Sequence, residues 1–200
     1  MTYTVRRAGQ HDEEPITQLL ADRFHDDPVS SWIFPDDADR RARHPDFFRP
    51  FVQLALAEGH VDVVGDYDGV ALWLDVLDVP PDPDLPLLQG ACGPNWARAE
   101  QLFALFEQHH PTKEHAYLPF IAAHPGHGFG TALLTHRAAE MDRLGQAGYL
   151  EASTPRSARL YRRLGYEGLG EPIQPTGGPP LFPMWRPPQL WHMEAFDGPA

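Results

Sequence analysis

The apolar and polar positions along the chain predict strands alternating with helices. Alternating or continuous apolar runs are typical of strands, whereas apolar residues spaced three and four apart are typical of helices. The predicted strands cover 3–8, 60–76 (two strands joined by a turn at 66–69), 114–125, 149–153, 166–173 and 180–186. The predicted helices cover 16–24, 47–56, 96–108, 134–144 and 157–164, with a loop or broken helix over 26–37 and a Pro-rich loop over 79–86. This order favours an α/β (α+β) fold, a sheet covered by helices.

Proline and glycine refine this pattern at three positions. Pro119 lies inside the apolar strand 114–125 and cannot donate a hydrogen bond to a neighbouring strand, so we expect it at a bulge or where two strands part. Gly145 follows an apolar helical stripe, and Gly165 is placed to end the short helix before it.

Composition narrows the classes of partner. The 200 residues match one domain, and 28 acidic against 16 basic side chains give a formal net charge of -12. That charge argues against a nucleic-acid or anionic membrane surface and favours a cationic or amine-bearing small molecule. We also expect a cytoplasmic setting, because Cys92 is the single cysteine and the first residues lack an apolar signal core. No segment reaches the ~20 apolar residues of a membrane span.

The stretch HPGHGFGTALL, 124–134, places three glycines directly before a predicted helix. Such a turn exposes backbone N–H groups at a helix N-terminus, where an anion such as a phosphate binds without any basic side chain. The stretch lacks the Gly-Lys-Ser/Thr ending of a Walker A loop and the context of a dinucleotide fingerprint. The alternative to a phosphate site is a tight turn that needs glycine only for its shape.

The surroundings of this turn resemble a known family. A strand with Pro119, a Gly-x-Gly-x-Gly loop, a helix, YLEAS (149–153) and TPRSARLYRRLGYE (154–167) follow in that order. Together they resemble the GNAT superfamily of acetyl-coenzyme A-dependent N-acetyltransferases, and within it the puromycin N-acetyltransferase group. The resemblance covers about 3–187, so we assign 1–187 to one domain and 188–200 to a C-terminal tail. It implies a central mixed, twisted sheet of six to seven strands, splayed in the middle, with helices on both faces.

The resemblance also implies residue roles. Backbone groups of Ile121, Ala122 and Ala123 would pair with the pantetheine arm of acetyl-coenzyme A, and Tyr161 would return a proton to the departing thiolate. Packing within its helix is the alternative for Tyr161. Ser157 stands where relatives often carry a pantetheine-binding Asn. The pyrophosphate would be held by Gly126, His127, Gly128, Phe129, Gly130 and Thr131. In this chain about three family residues, including a Gln or Arg, are missing between Pro125 and Gly126.

The acceptor amine must lose a proton before it attacks, so a nearby base is required. Asp26, Asp27 and Glu151 are the candidate acids, with Glu151 favoured by the resemblance and simple solvation as its alternative. We also expect Trp32 and Trp73 to wall the acceptor pocket, although tryptophan is more often a core residue. The resemblance implies a small-molecule amine acceptor of the aminonucleoside antibiotic type.

Two further hypotheses stay open. His124 and His127 have metal-ligand spacing, but Pro125 and Gly126 prevent the helical arrangement that would present both rings together, so we expect no metal. The short loop leaves open a GNAT-like binding or sequestering module with weak or lost coenzyme A binding. We expect a monomer or homodimer, with the apolar tail docking on its own domain or on a second subunit.

Overall fold

A seven-stranded mixed sheet forms the centre of the protein, whose computed structural model describes residues 3–81 and 83–189. The strands are β1 (Val5–Arg7), β2 (His60–Val64), β3 (Gly69–Val76), β4 (His115–Ala123), β5 (Gly148–Ala152), β6 (Glu167–Gly168) and β7 (Phe182–Arg186). Their order across the sheet is β1-β2-β3-β4-β5-β7-β6. All neighbours are antiparallel except β4 and β5, which run parallel. The sequence prediction of a mixed sheet is confirmed.

Seven α-helices cover both faces of this sheet in the described residues. They are α1 (Glu13–Arg23), α2 (Pro28–Ile33), α3 (Asp37–Glu58), α4 (Leu85–Cys92), α5 (Trp96–His109), α6 (Phe129–Leu144) and α7 (Pro155–Arg163). The first five pack on one face over a core that includes Val63 and Leu72. The last two pack on the opposite face over Ala71 and Leu150. Each face therefore has its own apolar core.

Local capping decides two elements that the apolar pattern alone did not predict. The carboxylate of Asp27 accepts hydrogen bonds from the backbone N–H groups at the start of α2, and Pro28 is pre-set for the first helical position. At α4 the Asp84 side chain accepts a hydrogen bond from the Leu87 N–H, and Pro86 lies in the first turn of the helix. The predicted loop over 79–86 is therefore wrong at its end, because a helix begins at Leu85. The predicted strand over 166–173 is also too long, since β6 is only Glu167–Gly168.

The sheet opens between β4 and β5. The two strands pair only at Ala116↔Gly148 and Tyr117↔Tyr149. Between the pairs Leu72↔Phe120 and Leu74↔Tyr117, one residue of β3 faces two residues of β4, and Pro119 is one of those two. The bulge and the parting of strands expected at this proline are both present, and they leave the remaining edge of β4 available to a ligand.

The described residues include no helix that is both long and apolar enough to cross a membrane. The predicted tail over 188–200 is described only as far as Gln189, so its proposed docking lies outside the described residues.

Candidate active site

A cavity of about 790 Å³ lies at the opening in the sheet, lined mainly by residues of the face covered by α1 to α5 and also by Ser157 and Tyr161 of α7. Most of its wall is aromatic or aliphatic, as is typical of small-molecule sites. A few polar side chains, among them Asp27, His110, Glu151 and Tyr161, also line it. The aromatic wall is formed by Phe24, Phe47, Phe48, Phe51, Phe103, Phe106, Tyr117 and Phe120.

Glu151 of β5 is surrounded by protein at the point where the strands part, and keeps partial exposure only because it lines the cavity. Its Oε2 accepts a hydrogen bond of 3.0 Å from the Tyr117 hydroxyl. Its Oε1 and the nearby Tyr149 hydroxyl are buried and complete no hydrogen bond within the described residues. Burial raises the pKa of Glu151 to about 7, although the two tyrosine hydroxyls oppose this rise. The carboxyl group therefore changes protonation near neutral pH.

Asp27 and Tyr161 lie on another wall of the cavity. The Asp27 carboxylate caps α2 and also accepts a 2.6 Å hydrogen bond from the Ser153 hydroxyl. Burial raises the pKa of Asp27 above its ordinary value. Burial, and then the charge of Asp27, raise the pKa of the Tyr161 hydroxyl, which therefore keeps its proton at neutral pH. Asp26, the neighbouring acid, is exposed and does not line the cavity.

The open edge of β4 leads from the cavity to the glycine turn. Ile121, Ala122 and Ala123 line the cavity and pair with β3 on one side only, because β5 has already parted from β4. The chain then turns through Gly126 (φ +90°) and Gly128 (φ +79°), a conformation that disfavours any side chain. Gly130 has no such constraint, and an added Cβ there would meet only Leu160 of α7, at 3.9 Å.

The turn is held by contacts of the Phe129 side chain and of the His127 carbonyl with Tyr3. The Phe129 ring is buried and lies 4.7 Å from the Tyr3 ring, centroid to centroid. The Tyr3 hydroxyl donates a 2.6 Å hydrogen bond to the His127 carbonyl. These contacts fix the turn against β1, so the backbone, rather than these side chains, is presented at the start of α6. Thr131, in the first turn of that helix, is exposed.

Ser157 lines the cavity, but its hydroxyl already has partners. The Oγ atom donates 2.9 Å to the Thr154 carbonyl and accepts 3.2 Å from the Thr154 N–H. In return, the Thr154 side chain accepts from the Ser157 N–H at 3.0 Å. This reciprocal capping box starts α7 and so positions Tyr161 two turns later.

The two tryptophans expected in the pocket wall lie outside it. Trp73 is completely buried on the opposite face of the sheet, with Arg137 of α6 stacked 5.9 Å from its ring. Strand alternation explains this, since Leu72 and Leu74 are the residues of β3 that face α1 to α5. Trp32 packs beside Gly178 and does not line the cavity. Aromatic residues of α3 and β4 occupy the wall instead.

Comparison with solved structures identifies this arrangement. A crystal structure from Corynebacterium glutamicum, described as histone acetyltransferase HPA2 and related acetyltransferase, is 33% identical. The match covers 96% of this chain and 99% of that one, with a TM-score of 0.73. The chain belongs to the GNAT superfamily. It is an acyl-coenzyme A-dependent N-acetyltransferase, an enzyme that transfers an acetyl group to an amine.

More distant structures share this GNAT fold. A mosquito arylalkylamine N-acetyltransferase like 5b is 14% identical, with a TM-score of 0.61 over 93% of this chain and 100% of that one. A Drosophila melanogaster polyamine N-acetyltransferase is 15% identical, with a TM-score of 0.62 over 92% and 99%. No family model matches the chain.

Some residues of the GNAT cavity were missed by sequence reasoning. Tyr117 and Tyr149 were predicted only as strand residues. The spacing of two between Tyr149 and Glu151 within one strand could have placed these two on one face, but Tyr117 joins them only through its pairing with Tyr149. No role was assigned to His110 and His115 from the sequence. Among the described residues, no group of three or more His, Cys, Asp or Glu side chains is arranged to hold a metal ion.

Proposed function

We propose that this enzyme acetylates the primary amine of a small aromatic or apolar molecule, with Glu151 as the general base. The observation that carries this proposal is a buried carboxyl group with a pKa of about 7, facing an aromatic cavity where the strands part. A base with a pKa near the working pH combines a useful deprotonated fraction with sufficient basicity. An aminonucleoside antibiotic, as the sequence resemblance implies, belongs to this acceptor class.

The cavity wall supports an aromatic acceptor over a flexible polyamine. Phe48, Phe51 and Phe120 form a continuous cluster with ring centroids 5.0 to 5.2 Å apart at the Phe48–Phe120 and Phe51–Phe120 contacts. A flat apolar group gains from burial against such rings, whereas a second ammonium group would lose its hydration there. Agmatine and arylalkylamines appear among the substrates named for structural neighbours, and the wall favours the second type for this enzyme.

The residues present fit acetyl-coenzyme A. The open edge of β4 at 121–123 offers backbone groups to the pantetheine arm, and the start of α6 offers N–H groups to the pyrophosphate. Ala132 is the first residue of that helix whose N–H bonds back, to the Gly128 carbonyl. The preceding N–H groups of the first turn therefore remain for a ligand. When bound, acetyl-coenzyme A supplies the thioester carbonyl that the amine attacks.

The proton movements follow from the two ionisable groups. The Glu151 carboxylate, which lines the cavity and is oriented by the Tyr117 hydroxyl, accepts a proton from the incoming ammonium group. Tyr161 keeps its proton at neutral pH because of burial and the adjacent Asp27, and donates it to the departing thiolate. The Asp27 carboxylate adds negative charge to the cavity and so attracts a cationic acceptor.

Thiol release from acetyl-coenzyme A tests this function directly. We expect release with 2-phenylethylamine and with puromycin, and at least tenfold lower kcat/KM with agmatine. Acetylated product is identified by mass spectrometry, so that simple thioester hydrolysis is distinguished from transfer. A preference for agmatine would overturn the aromatic acceptor, and the absence of both amine acetylation and detectable coenzyme A binding would favour the sequestering module.

A further inference from the structure

His110 follows α5 and lines the acceptor cavity, yet the proton movements above do not use it. Its ring packs edge-on against Tyr117 and Tyr149, with centroids 4.9 and 5.0 Å away. These are the two tyrosines whose hydroxyl ends point to Glu151. His110 therefore contacts the rings of these tyrosines, whereas Glu151 contacts the Tyr117 hydroxyl, and both side chains line the cavity.

The hydrogen bonds of a histidine pair fix which nitrogen of His110 carries a proton. Nδ1 of His115 lies 2.7 Å from the Lys113 carbonyl, which only accepts, so this Nδ1 must be protonated. The Nε2 atom of a neutral His115 is then an acceptor, and Nε2 of His110, 3.0 Å away, must donate to it. In the neutral tautomer this leaves Nδ1 of His110 with a free lone pair.

Burial keeps the pair neutral. It lowers the pKa of His110 to about 4, with a further contribution from His115, and it also lowers the pKa of His115. Within the described residues, Nδ1 of His110 makes no hydrogen bond of its own. The chain of bonds ends at the Lys113 carbonyl, which cannot pass a proton onward. The pair therefore orients a lone pair and does not serve as a proton path to solvent.

We infer that His110 is a specificity-determining residue whose Nδ1 accepts a hydrogen bond from a second donor group on the acceptor, such as a hydroxyl. This inference rests on the proposed function, since it concerns the same cavity. The second donor is distinct from the reacting amine, because His110 contacts the tyrosine rings whereas Glu151 contacts the Tyr117 hydroxyl. In an otherwise apolar wall, one fixed acceptor selects ligands that can satisfy it.

The test compares 2-phenylethylamine with its 3-hydroxy and 4-hydroxy derivatives, and with the matching methoxy compounds that lack the donor. For at least one hydroxyl position, the wild-type enzyme should show a kcat/KM about three- to tenfold above the parent amine, the range expected for one neutral hydrogen bond. In His110→Phe, which keeps a ring of similar shape, this ratio should fall to about one. The KM for acetyl-coenzyme A should stay unchanged.

Nitrogen-15 NMR of histidine-labelled protein tests the tautomer independently of catalysis. We expect an unprotonated Nδ1 and a protonated Nε2 for His110, and a mixture of tautomers in His115→Phe, which also reduces the hydroxyl preference. Protonation on Nδ1, equal kcat/KM for all the amines, or a hydroxyl preference that survives His110→Phe would each overturn the inference. If no amine is acetylated, the proposed function itself is wrong. If amines are acetylated without a preference for the hydroxyl compounds, only the role of His110 is wrong.

Discussion

Replacing Glu151 with glutamine is expected to lower turnover while making the protein more stable above neutral pH. The charged carboxylate is disfavoured by burial, and a rise of its pKa from 4.5 to about 7 corresponds to about 3 kcal/mol. The folded protein thus holds this proton more tightly than the unfolded chain does. The resulting stabilisation is complete below pH 4.5 and is lost as the pH rises through about 7. Glutamine keeps the shape and stays neutral at every pH.

The expected difference therefore depends on pH. At pH 8.5 the free energy of unfolding of Glu151→Gln should exceed that of the wild type by about 3 kcal/mol, and at pH 5 by about 1 kcal/mol or less. Urea unfolding at both pH values measures it, with equal m-values as the condition for the comparison. Glu171→Gln, at an exposed loop position, is the matched control and should show no such trend.

Activity completes the test. The wild-type kcat/KM should rise with pH and level off above about 7, because only the deprotonated Glu151 accepts a proton. Loss of a general base typically costs about 10²- to 10⁴-fold in rate, and we expect Glu151→Gln to fall in this range. A variant that is less stable than the wild type at pH 8.5 refutes the argument from burial. A variant with wild-type turnover and an unchanged pH profile refutes the role as base.

Three further substitutions test the rest of the site. Tyr161→Phe should lower turnover by about 10²- to 10⁴-fold without changing the Kd of coenzyme A, measured by calorimetry, because only the donated proton is lost. Gly130→Leu should raise the Kd of coenzyme A about tenfold or more. The backbone φ at Gly130 is one that any residue adopts, so this substitution adds no backbone strain. Thr135→Leu, at an exposed position of the same helix, is the control. Asp27→Asn keeps a good N-cap residue but should raise the KM of a cationic amine severalfold at low salt, while the KM of acetyl-coenzyme A stays constant. Unchanged turnover would limit Tyr161 to packing, and an unchanged Kd of coenzyme A would limit Gly130 to turning the chain. An unchanged KM of the amine would limit Asp27 to capping α2.

The backbone features that we propose for coenzyme binding could be predicted from sequence because their signals are local. Gly126 and Gly128 adopt positive φ, and Pro119 lies at a bulge, as expected from the covalent limits of these residue types. The helix that follows the turn ends at Gly145, in the left-handed conformation typical of a helix C-terminus. Each of these features depends on a few consecutive residues and needs no knowledge of the remaining chain.

The acceptor side could not be predicted in the same way because it is assembled from distant segments. Tyr117 reaches Glu151 only because β4 and β5 pair in parallel for two residues. Trp73 was predicted to line the pocket. The sequence pattern shows that side chains alternate between the two faces of the strand, but it does not show which helices cover each face. Its neighbours Leu72 and Leu74 face the acceptor side, so Trp73 must face α6.

The opening between β4 and β5 is stable because each strand keeps a full partner on its other edge. β4 pairs with β3 from Val76↔His115 to Gly69↔Ala123, and β5 pairs with β7 from Gly148↔Arg186 to Ala152↔Phe182. Parting the two strands therefore leaves unpaired only the backbone groups that face the gap. Such groups are costly to bury without partners, so an amide-bearing chain such as pantetheine gains by filling them. The same parting brings Glu151 to the cavity, so a single irregularity in the sheet creates both the unpaired edge of β4 and the position of the Glu151 carboxyl group.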